Sequence, residues 1–415
     1  MTPTLSAFTP TPSDSTAPAS SSSRAISQEA REAFAAAPKE RMPNAPNCST
    51  GRDKDGVAVQ LCLEPVNPAD APAPPPLDPE ATADPVPPPI CYTKPGEVNY
   101  DRFHACQQST IRVKLTKQGL PAPIISWIWW ATWETLNRGN RSWKMQVGLR
   151  PYDMPGDLVR AKPEIALRAL CTQHCDLPDA EEKSVSTNNK YVYFDGQDIL
   201  SSGNRISYSS PWIRIVYTLH DVTMNPPKQT LDLSTPFNIR CDSEAYIGSR
   251  GGCVHYMGHD AIPIYYLDYQ GRYPDIAKNA LYGMTDGDPV KHYGNIQYGN
   301  PLTREDPHLI DTHRNSICTS RIRAKASALG LSCDEYPYAA SEQGGSGNER
   351  FSCAFADEDQ NEGQGRDMDG RFFVPNRVLP ARNEVGTPYI PGDAFWVWVT
   401  NAPDDPPAVK QCSTY

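Results

Sequence analysis

The sequence has no apolar run of about 18 residues, no excess of basic residues, and no Cys or His spacing typical of a zinc site. Without a long apolar run, no segment is predicted to span a membrane. The formal net charge of -10 argues against a protein that holds nucleic acid through a broad basic surface. It leaves room for an enzyme whose phosphate contacts come mainly from a bound cation, because such a site needs only a few carboxylates and one or two arginines.

The 12 cysteines are even in number and lack paired metal-ligand spacing, so we expect disulfides. Disulfides persist in oxidising compartments, which predicts a secreted protein. The first residues after Met1 show neither the basic nor the apolar part of a signal peptide, so the export route stays open. Spacing does not fix the pairing, but four pairs are close enough to form local bridges: Cys48 with Cys62, Cys171 with Cys175, Cys241 with Cys253, and Cys318 with Cys333.

Proline is frequent, with 42 residues among 415, and is concentrated toward the N-terminus. Residues 1–90 are also rich in Ser, Thr and Ala, so they bury too little apolar surface to offset the entropy of ordering. We expect this segment to be disordered, as a linker or stalk. The whole chain is expected to hold two or three domains, since a single core rarely grows past about 250 to 300 residues.

Residues 91–257 consist of short runs rich in β-branched and aromatic residues, separated by turn residues. The segment Asn137-Arg138-Gly139-Asn140 between two such runs is typical of a β-hairpin. Several strands at this spacing predict an all-β, sandwich-like domain of unknown role. The predicted strands are Ile111–Leu115, Ile124–Thr135, Trp143–Leu149, Lys190–Phe194, Ile206–Ser209, Trp212–Leu219 and Phe237–Cys241.

One of these strands carries four tryptophans within seven positions. The alternating residues Trp127, Trp129 and Trp133 are expected to pack in the sandwich core or at an edge between sheets. The alternative is an aromatic platform that stacks on sugars or bases. On that alternative, the β domain has a cell-wall glycan or a protein as its partner.

Residues 258–415 mix helical and strand patterns, which predicts an α+β domain. Apolar residues three and four positions apart predict a helix over Tyr273–Met284. A longer helix is predicted over Asp311–Leu329, entered near Pro307. The region ends with the strand pattern Phe395–Val399.

Asp334 and Glu335 are adjacent carboxylates ahead of Pro337, which keeps the backbone extended. Neighbouring side chains point apart on an extended chain, so only one of the two faces a given site. Glu342 lies just ahead of a Gly-Gly pair and is placed to return across a turn. Oxygen ligands of this kind suit Mg2+ or Mn2+. On spacing alone, a capped turn with surface charge explains the same residues.

The motif resembles the signature of the NucA/NucB-type deoxyribonucleases, small secreted bacterial enzymes. The resemblance covers about Ile262 to Thr400 and implies a ββα-metal-like domain that hydrolyses DNA phosphodiester bonds with Mg2+ or Mn2+. Longer actinobacterial members often place a β-rich domain ahead of the nuclease. The matching segments are Cys333–Ala339, Glu342–Gly345, Pro301–Arg304, His313–Asn315 with Cys318, Phe373–Leu379 and Gly392–Phe395.

The resemblance also implies roles for the acidic residues. Asp334 is the expected base that activates the attacking water, and Glu335 is a further catalytic residue or an alternative ligand. Asp334, Glu342 and Asn376 are the implied metal ligands, with Glu342 also counted as catalytic. The plainer interpretation of Asn376 is a helix N-cap.

Three residues are implied to bind the substrate. Arg314 and Arg377 would neutralise phosphates, since guanidinium groups match phosphate oxygens. His313 is suited to proton transfer because the ordinary histidine pKa lies near neutrality. Arg314 could instead form only an ion pair, and His313 could simply be solvated.

The chain departs from the family in the first helix of the domain. Small members carry a histidine there, where this sequence has Ala277-Lys278-Asn279. If that histidine supports catalysis, Lys278 or Asn279 must take its place. The second acidic position after the motif is also Gln343 rather than Glu.

We therefore predict a secreted, divalent-metal-dependent deoxyribonuclease of low sequence specificity, with DNA as its substrate. One alternative is a cell-wall or partner-binding protein whose nuclease-like domain is inactive. Another is a delivered antibacterial DNase toxin. The sequence does not decide between DNA and RNA.

Overall fold

The computed structural model describes residues 47–66, 68–73, 98–172, 175–178, 180–185, 190–198, 206–233, 238–247, 251–256, 261–285, 292–347, 351–382 and 390–414. Most of the secondary structure in these ranges is β-strand, with a few short helices. No helix within them is long and apolar enough to cross a membrane. Residues 1–46 and 74–97 lie outside the described ranges, and with them most of the segment for which we expected disorder.

The described residues between 47 and 256, referred to below as the β region, form strands joined by turns and include the short helix α1 (Gly156–Arg160). Alternation of polar and apolar residues favours β-strands, because successive side chains of a strand point to opposite faces. β-Branched residues favour strands as well. The strands are β1 (Asn47–Asp53), β2 (Ala58–Val66), β3 (Val98–Tyr100), β4 (His104–Lys117), β5 (Ile124–Leu136), β6 (Ser142–Tyr152), β7 (Pro163–Cys171), β8 (Cys175–Asp176), β9 (Lys183–Val185), β10 (Lys190–Asp198), β11 (Ile206–Ser209), β12 (Pro211–Leu219), β13 (Val222–Asn225), β14 (Lys228–Leu233), β15 (Ile239–Asp242) and β16 (Gly252–His255). Each predicted strand overlaps an observed one.

Two of the sheets share one apolar core. The larger has the strand order β13-β1-β2-β4-β5-β6-β10-β8, with β3 beside β4, and the smaller has the order β14-β12-β7-β9. Leu63 and Val147 of the larger sheet pack in the same cluster as Leu167 and Ile215 of the smaller one, and all four are buried. Two sheets that enclose a common core form a sandwich. A third sheet, β11-β15-β16, lies beside them.

The expectation of disorder over residues 1–90 is wrong for residues 47–66. These residues form β1 and β2, which pair with each other and join the larger sheet through β13 and β4. The Cys48–Cys62 disulfide links the two strands. A short apolar segment thus gains its stability from a sheet supplied by distant residues, which local composition does not reveal.

The alternating tryptophans of β5 lie outside the main core, which was one of the two places predicted for them. Trp130, outside the alternating set, lies in the main core. Trp129 points to the opposite face of the sheet, where it packs with Ala131 and Tyr152, and Trp127 lies against them. Because Trp129 is only 6% exposed, it offers no open platform for stacking.

Residues 261–414, referred to below as the C-terminal region, combine two small sheets with four helices among the described residues. The parallel pair β17–β21 is extended by β18, and β19 pairs with β20 as an antiparallel hairpin. The predicted helix over residues 311–329 is in fact two helices, because the chain breaks at Cys318 and Thr319 caps the second one. The elements are β17 (Ile264–Asp268), α2 (Pro274–Thr285), β18 (Leu302–Thr303), α3 (Ile310–Ile317), α4 (Ser320–Ala328), β19 (Ser332–Tyr336), β20 (Ser352–Ala356), α5 (Glu358–Asp367), a π-helical turn (Met368–Phe373) and β21 (Ala394–Thr400).

Buried ion pairs join the C-terminal region to the β region in both directions. Arg102 and Arg240 of the β region bind the carboxylate of Asp393, at 2.6 and 2.5 Å. In return, Arg377 of the C-terminal region pairs with Asp242 of β15. Burial raises the pKa of Asp393, but the two arginines outweigh it and lower the pKa to about 2. The β region is therefore fixed to the C-terminal region by ion pairs that are mostly buried.

Candidate active site

The Asp-Glu motif lies in β19, the first strand of a strand–strand–helix unit formed by β19, β20 and α5. Asp334 and Glu335 face opposite sides of this hairpin, as expected for neighbours on an extended chain. Asp334 faces α2, whereas Glu335 faces the disulfides and α3. The order of elements is the one that the family resemblance implies. The ββα-metal class itself stays a prediction.

Asp334 is almost completely buried, with 4% of its surface exposed. The amide Nδ2 of Asn279 on α2 donates a hydrogen bond of 2.7 Å to its Oδ2 atom. Burial and the nearby Glu335 raise the pKa of the Asp334 carboxyl well above its usual range, and the Asn279 hydrogen bond opposes this rise. Asn279 belongs to the segment Ala277-Lys278-Asn279, where the resemblance implied a histidine. Lys278 instead pairs with Asp275 at the surface.

Asn361 on α5 is a site residue that the sequence analysis missed. Its Nδ2 donates to the carbonyl oxygen of Cys333 at 2.9 Å and to the hydroxyl of Ser332 at 3.1 Å. Ser332 and Asp334 lie on the same face of β19, so Asn361 contacts the face of the strand that carries the catalytic candidate. Nothing in the sequence around Asn361 indicated this contact, because α5 comes to lie against β19 only in the folded protein.

Glu335 is buried on the other face. Burial raises its pKa to about 7, against the lowering effect of Arg314. The guanidinium Nε of Arg314 lies 3.9 Å from the carboxylate, and the Sγ of Cys318 lies 3.3 Å from it. Arg314 itself is half exposed and also pairs with Asp311, so it remains accessible to a ligand at the surface.

Glu342 lies in a second acidic group, beside the turn that follows the motif. Its Oε1 atom accepts a hydrogen bond of 2.8 Å from the backbone N–H of Gly392. Nearby, His313 donates through Nδ1 to the carbonyl of Ser341, and its Nε2 atom lies 3.3 Å from the Glu305 carboxylate. Burial raises the pKa of Glu305, and the charge of Glu342 adds to this effect. Glu305 was also missed by the sequence analysis.

Asn376 and Arg377, for which the resemblance implied a metal ligand and a phosphate contact, both have partners within the protein. The side chain of Asn376 donates to the carbonyl of Phe372, in its own turn, and its backbone carbonyl accepts from Arg102. Arg377 is only 3% exposed and is paired with Asp242 of the β region. A guanidinium that is buried and already paired does not reach a DNA phosphate. These residues belong to the contact between the two regions.

The positions of these side chains determine which of them could hold the implied metal. In the described ranges, the one group of three His, Cys, Asp or Glu ligand atoms close enough to share an ion is Cys318, Cys333 and Cys353, whose sulfurs are in disulfides. Asp334 and Asn361 do offer hard oxygen atoms from adjacent elements. This donor chemistry fits Mg2+ or Mn2+, which take few protein ligands and keep waters and substrate phosphates in their shell.

Comparison with known proteins bears on this same segment. Residues 301–380 match the model of the family described as Deoxyribonuclease NucA/NucB. The C-terminal region therefore contains a NucA/NucB-type nuclease domain. The match includes Asp334, Glu335, Glu342 and Asn361, whereas Asn279 lies outside it. Neither a curated protein nor a solved structure was found to match the chain.

Proposed function

We propose that the protein is a secreted deoxyribonuclease that hydrolyses DNA with Mg2+ or Mn2+ and little sequence specificity. The observation that carries the proposal is the buried carboxylate of Asp334 on β19, a strand whose backbone is bonded by the amide of Asn361, inside the segment that matches the nuclease family. Five disulfides among the described residues support secretion.

Asp334 is the proposed general base. A carboxylate with a raised pKa accepts a proton more readily than an ordinary aspartate, and a base is most effective when its pKa approaches the working pH. The hydrogen bond from Asn279 fixes one oxygen of the carboxylate, Oδ2. The burial of the group keeps bulk water from competing for the proton.

Asp334 and Asn361 are the proposed protein ligands of the cation. When bound, the cation supplies positive charge to the phosphate and lowers the pKa of a bound water. Arg314 is the proposed phosphate contact, because its guanidinium is half exposed and lies beside the motif. His313 has both ring nitrogens engaged, by Ser341 and Glu305, and so orders the loop beside Arg314.

The direct test is a plasmid-nicking assay on the full chain with Mg2+, Mn2+ or EDTA. We expect cleavage with either metal, none with EDTA, and loss of cleavage in Asp334→Ala. Asp359→Ala is the matched control, because Asp359 is an exposed aspartate in the same segment. Cleavage that persists in EDTA, or equal cleavage by Asp334→Ala and the control, contradicts the proposal.

A second pair of variants separates the two asparagines. Asn361→Ala should lose metal-dependent cleavage, whereas Asn376→Ala should retain it, because the Asn376 side chain faces its own turn. The reverse result would restore the ligand set expected from the sequence. Running the assay with single-stranded RNA beside plasmid DNA decides the substrate class.

A further inference from the structure

Helices α3 and α4 carry a cluster of positive charge in a chain that is acidic as a whole. Residues 308–331 hold four Lys or Arg residues and one acidic residue, Asp311, whereas the whole chain has a formal net charge of -10. Only residues 329–331 separate α4 from β19, and α4 packs against this strand. The positive charge therefore lies beside the hairpin of the candidate site. The four cations are Arg314 on α3 and Arg321, Arg323 and Lys325 on α4.

The sequence of α4 keeps its cations away from the side of the helix that faces the protein. Ile322 is half-buried and packs against the disulfide cluster, and Ala326, one turn further on, is buried. Residues four positions apart share one face of a helix, so these two form the inner stripe of α4. Arg321 and Lys325 lie along one side of this stripe, and Arg323 lies along the other.

Two of the arginines are not neutralised by an ion pair within the described part of the chain. Arg321 is exposed and has no carboxylate partner among the described residues. Arg323 is also exposed, and its guanidinium donates to the neutral amide oxygen of Asn315 at 2.7 Å. Arg314, by contrast, pairs with Asp311. The guanidinium groups of Arg321 and Arg323 thus remain available to an anionic ligand.

Arg323 lies on the same side of the hairpin as Arg314. A nearby positive charge lowers the pKa of a carboxyl, and both arginines do so for Glu335. Asn315, which accepts the hydrogen bond from Arg323, directly follows Arg314 in α3. The proposed phosphate contact at Arg314 is therefore continued by Arg323 onto α4.

We propose that these four cations, referred to below as the basic face, bind the phosphate backbone of DNA beside the point of cleavage. The inference rests on the proposed function for its substrate. Each DNA strand carries one phosphate charge about every 3.4 Å along the duplex, so a row of cations engages several phosphates at once. Such contacts position the duplex and carry no sequence information, which agrees with little sequence specificity.

The charge of the rest of the chain adds to the effect of the basic face. A net negative charge repels DNA, so a local positive face decides which side of the protein the duplex approaches. Because the basic face adjoins β19, the duplex approaches on the side of the Asp-Glu motif. The basic face therefore orients the substrate as well as binding it.

The test is the binding of a short labelled DNA duplex to the full chain in EDTA, measured by fluorescence anisotropy at several NaCl concentrations. The double variant Arg321→Gln/Arg323→Gln should bind about tenfold more weakly at low salt, or roughly threefold for each arginine. The slope of log Kd against log salt concentration should fall by about 2, because each phosphate contact contributes about 0.9. Arg321→Lys/Arg323→Lys should retain most of the affinity, since Lys also binds phosphate.

Cleavage kinetics with Mg2+ give a second measurement. The double Gln variant should raise the KM for DNA by a similar factor and leave kcat nearly unchanged, because neither arginine contacts the reacting phosphate in the proposed site. Arg160→Gln is the matched control, since it removes one exposed arginine charge from α1 in the β region. It should leave the affinity, the salt slope and the KM unchanged, which separates the basic face from net charge.

Equal affinity and salt slope in the double Gln variant and the control overturn the proposal. A wild-type chain that shows no salt-dependent binding of DNA overturns it as well. If the wild-type chain binds DNA through the basic face but cleaves none with either metal, the proposed function fails, while the binding surface stands.

Discussion

Replacing Glu335 by Gln is expected to stabilise the protein at pH 8 far more than at pH 5. In the folded protein, burial raises the pKa of Glu335 to about 7, against an ordinary value of 4.5. Between these two values the folded protein retains a proton that the unfolded chain has released. The contribution of this group to stability therefore falls as the pH rises from about 4.5 to about 7.

The magnitude follows from the two pKa values. At about 1.4 kcal/mol per pH unit, the ionised carboxylate costs about 3 kcal/mol at pH 8 and less than 1 kcal/mol at pH 5. Gln has nearly the same shape and carries no charge, so it avoids this cost. The attraction to Arg314 that is lost is already included in the pKa of Glu335. The stability difference between variant and wild type should thus be about 2 to 3 kcal/mol larger at pH 8.

The measurement is urea unfolding of the full chain at both pH values, with disulfides intact and EDTA present. Comparing variant and wild type at each pH cancels the titration of the groups that do not interact with Glu335. Glu358→Gln is the control, since Glu358 is exposed on α5 and should give the same small difference at both pH values. A Glu335→Gln effect that does not change with pH would refute the reasoning.

Two further predictions concern the contacts that hold the C-terminal region. Asp242→Ala should lower the free energy of unfolding by about 3 to 5 kcal/mol, because it removes the carboxylate that pairs with the buried Arg377. The KM for DNA, measured at low temperature, should not change. A raised KM at unchanged stability would instead support a role for Arg377 in substrate binding. Removal of the Cys353–Cys412 disulfide, by replacing both cysteines with Ser, should lower the free energy of unfolding by about 4 kcal/mol, since the two cysteines are 59 positions apart in the chain. Thermal unfolding of that variant checks this, and an unchanged midpoint contradicts it.

Much of the fold could be predicted from local patterns. Strands such as β5 and β12 are dense in β-branched and aromatic residues, and α2 shows helical spacing, so their residues favour these conformations without distant help. The opposite orientation of Asp334 and Glu335 also followed from an extended backbone. The prediction of a single helix over residues 311–329 was wrong, because the disulfide at Cys318 and the cap at Thr319 interrupt an otherwise helical pattern.

The candidate site was only partly predictable. Asn361 and Asn376 both follow the motif in the right order, and sequence order does not say which one returns to β19. Packing of α5 against the hairpin selects Asn361, whereas Asn376 turns toward its own turn. The pairing of Arg377 with Asp242 could not be predicted for a similar reason, since the two residues are 135 positions apart in the chain.

The sequence by itself determined the chemistry: the β-rich strands, the cysteines that form disulfides, and the Asp-Glu motif in a segment that matches a nuclease family. These features are local, because they depend on a residue and its near neighbours. Only the tertiary structure decided which side chains lie against Asp334 and its strand, among them Asn279 and Asn361. The physical reason is that hydrogen bonds and burial act between atoms close in space, whereas the spacing of residues along a chain does not state those distances.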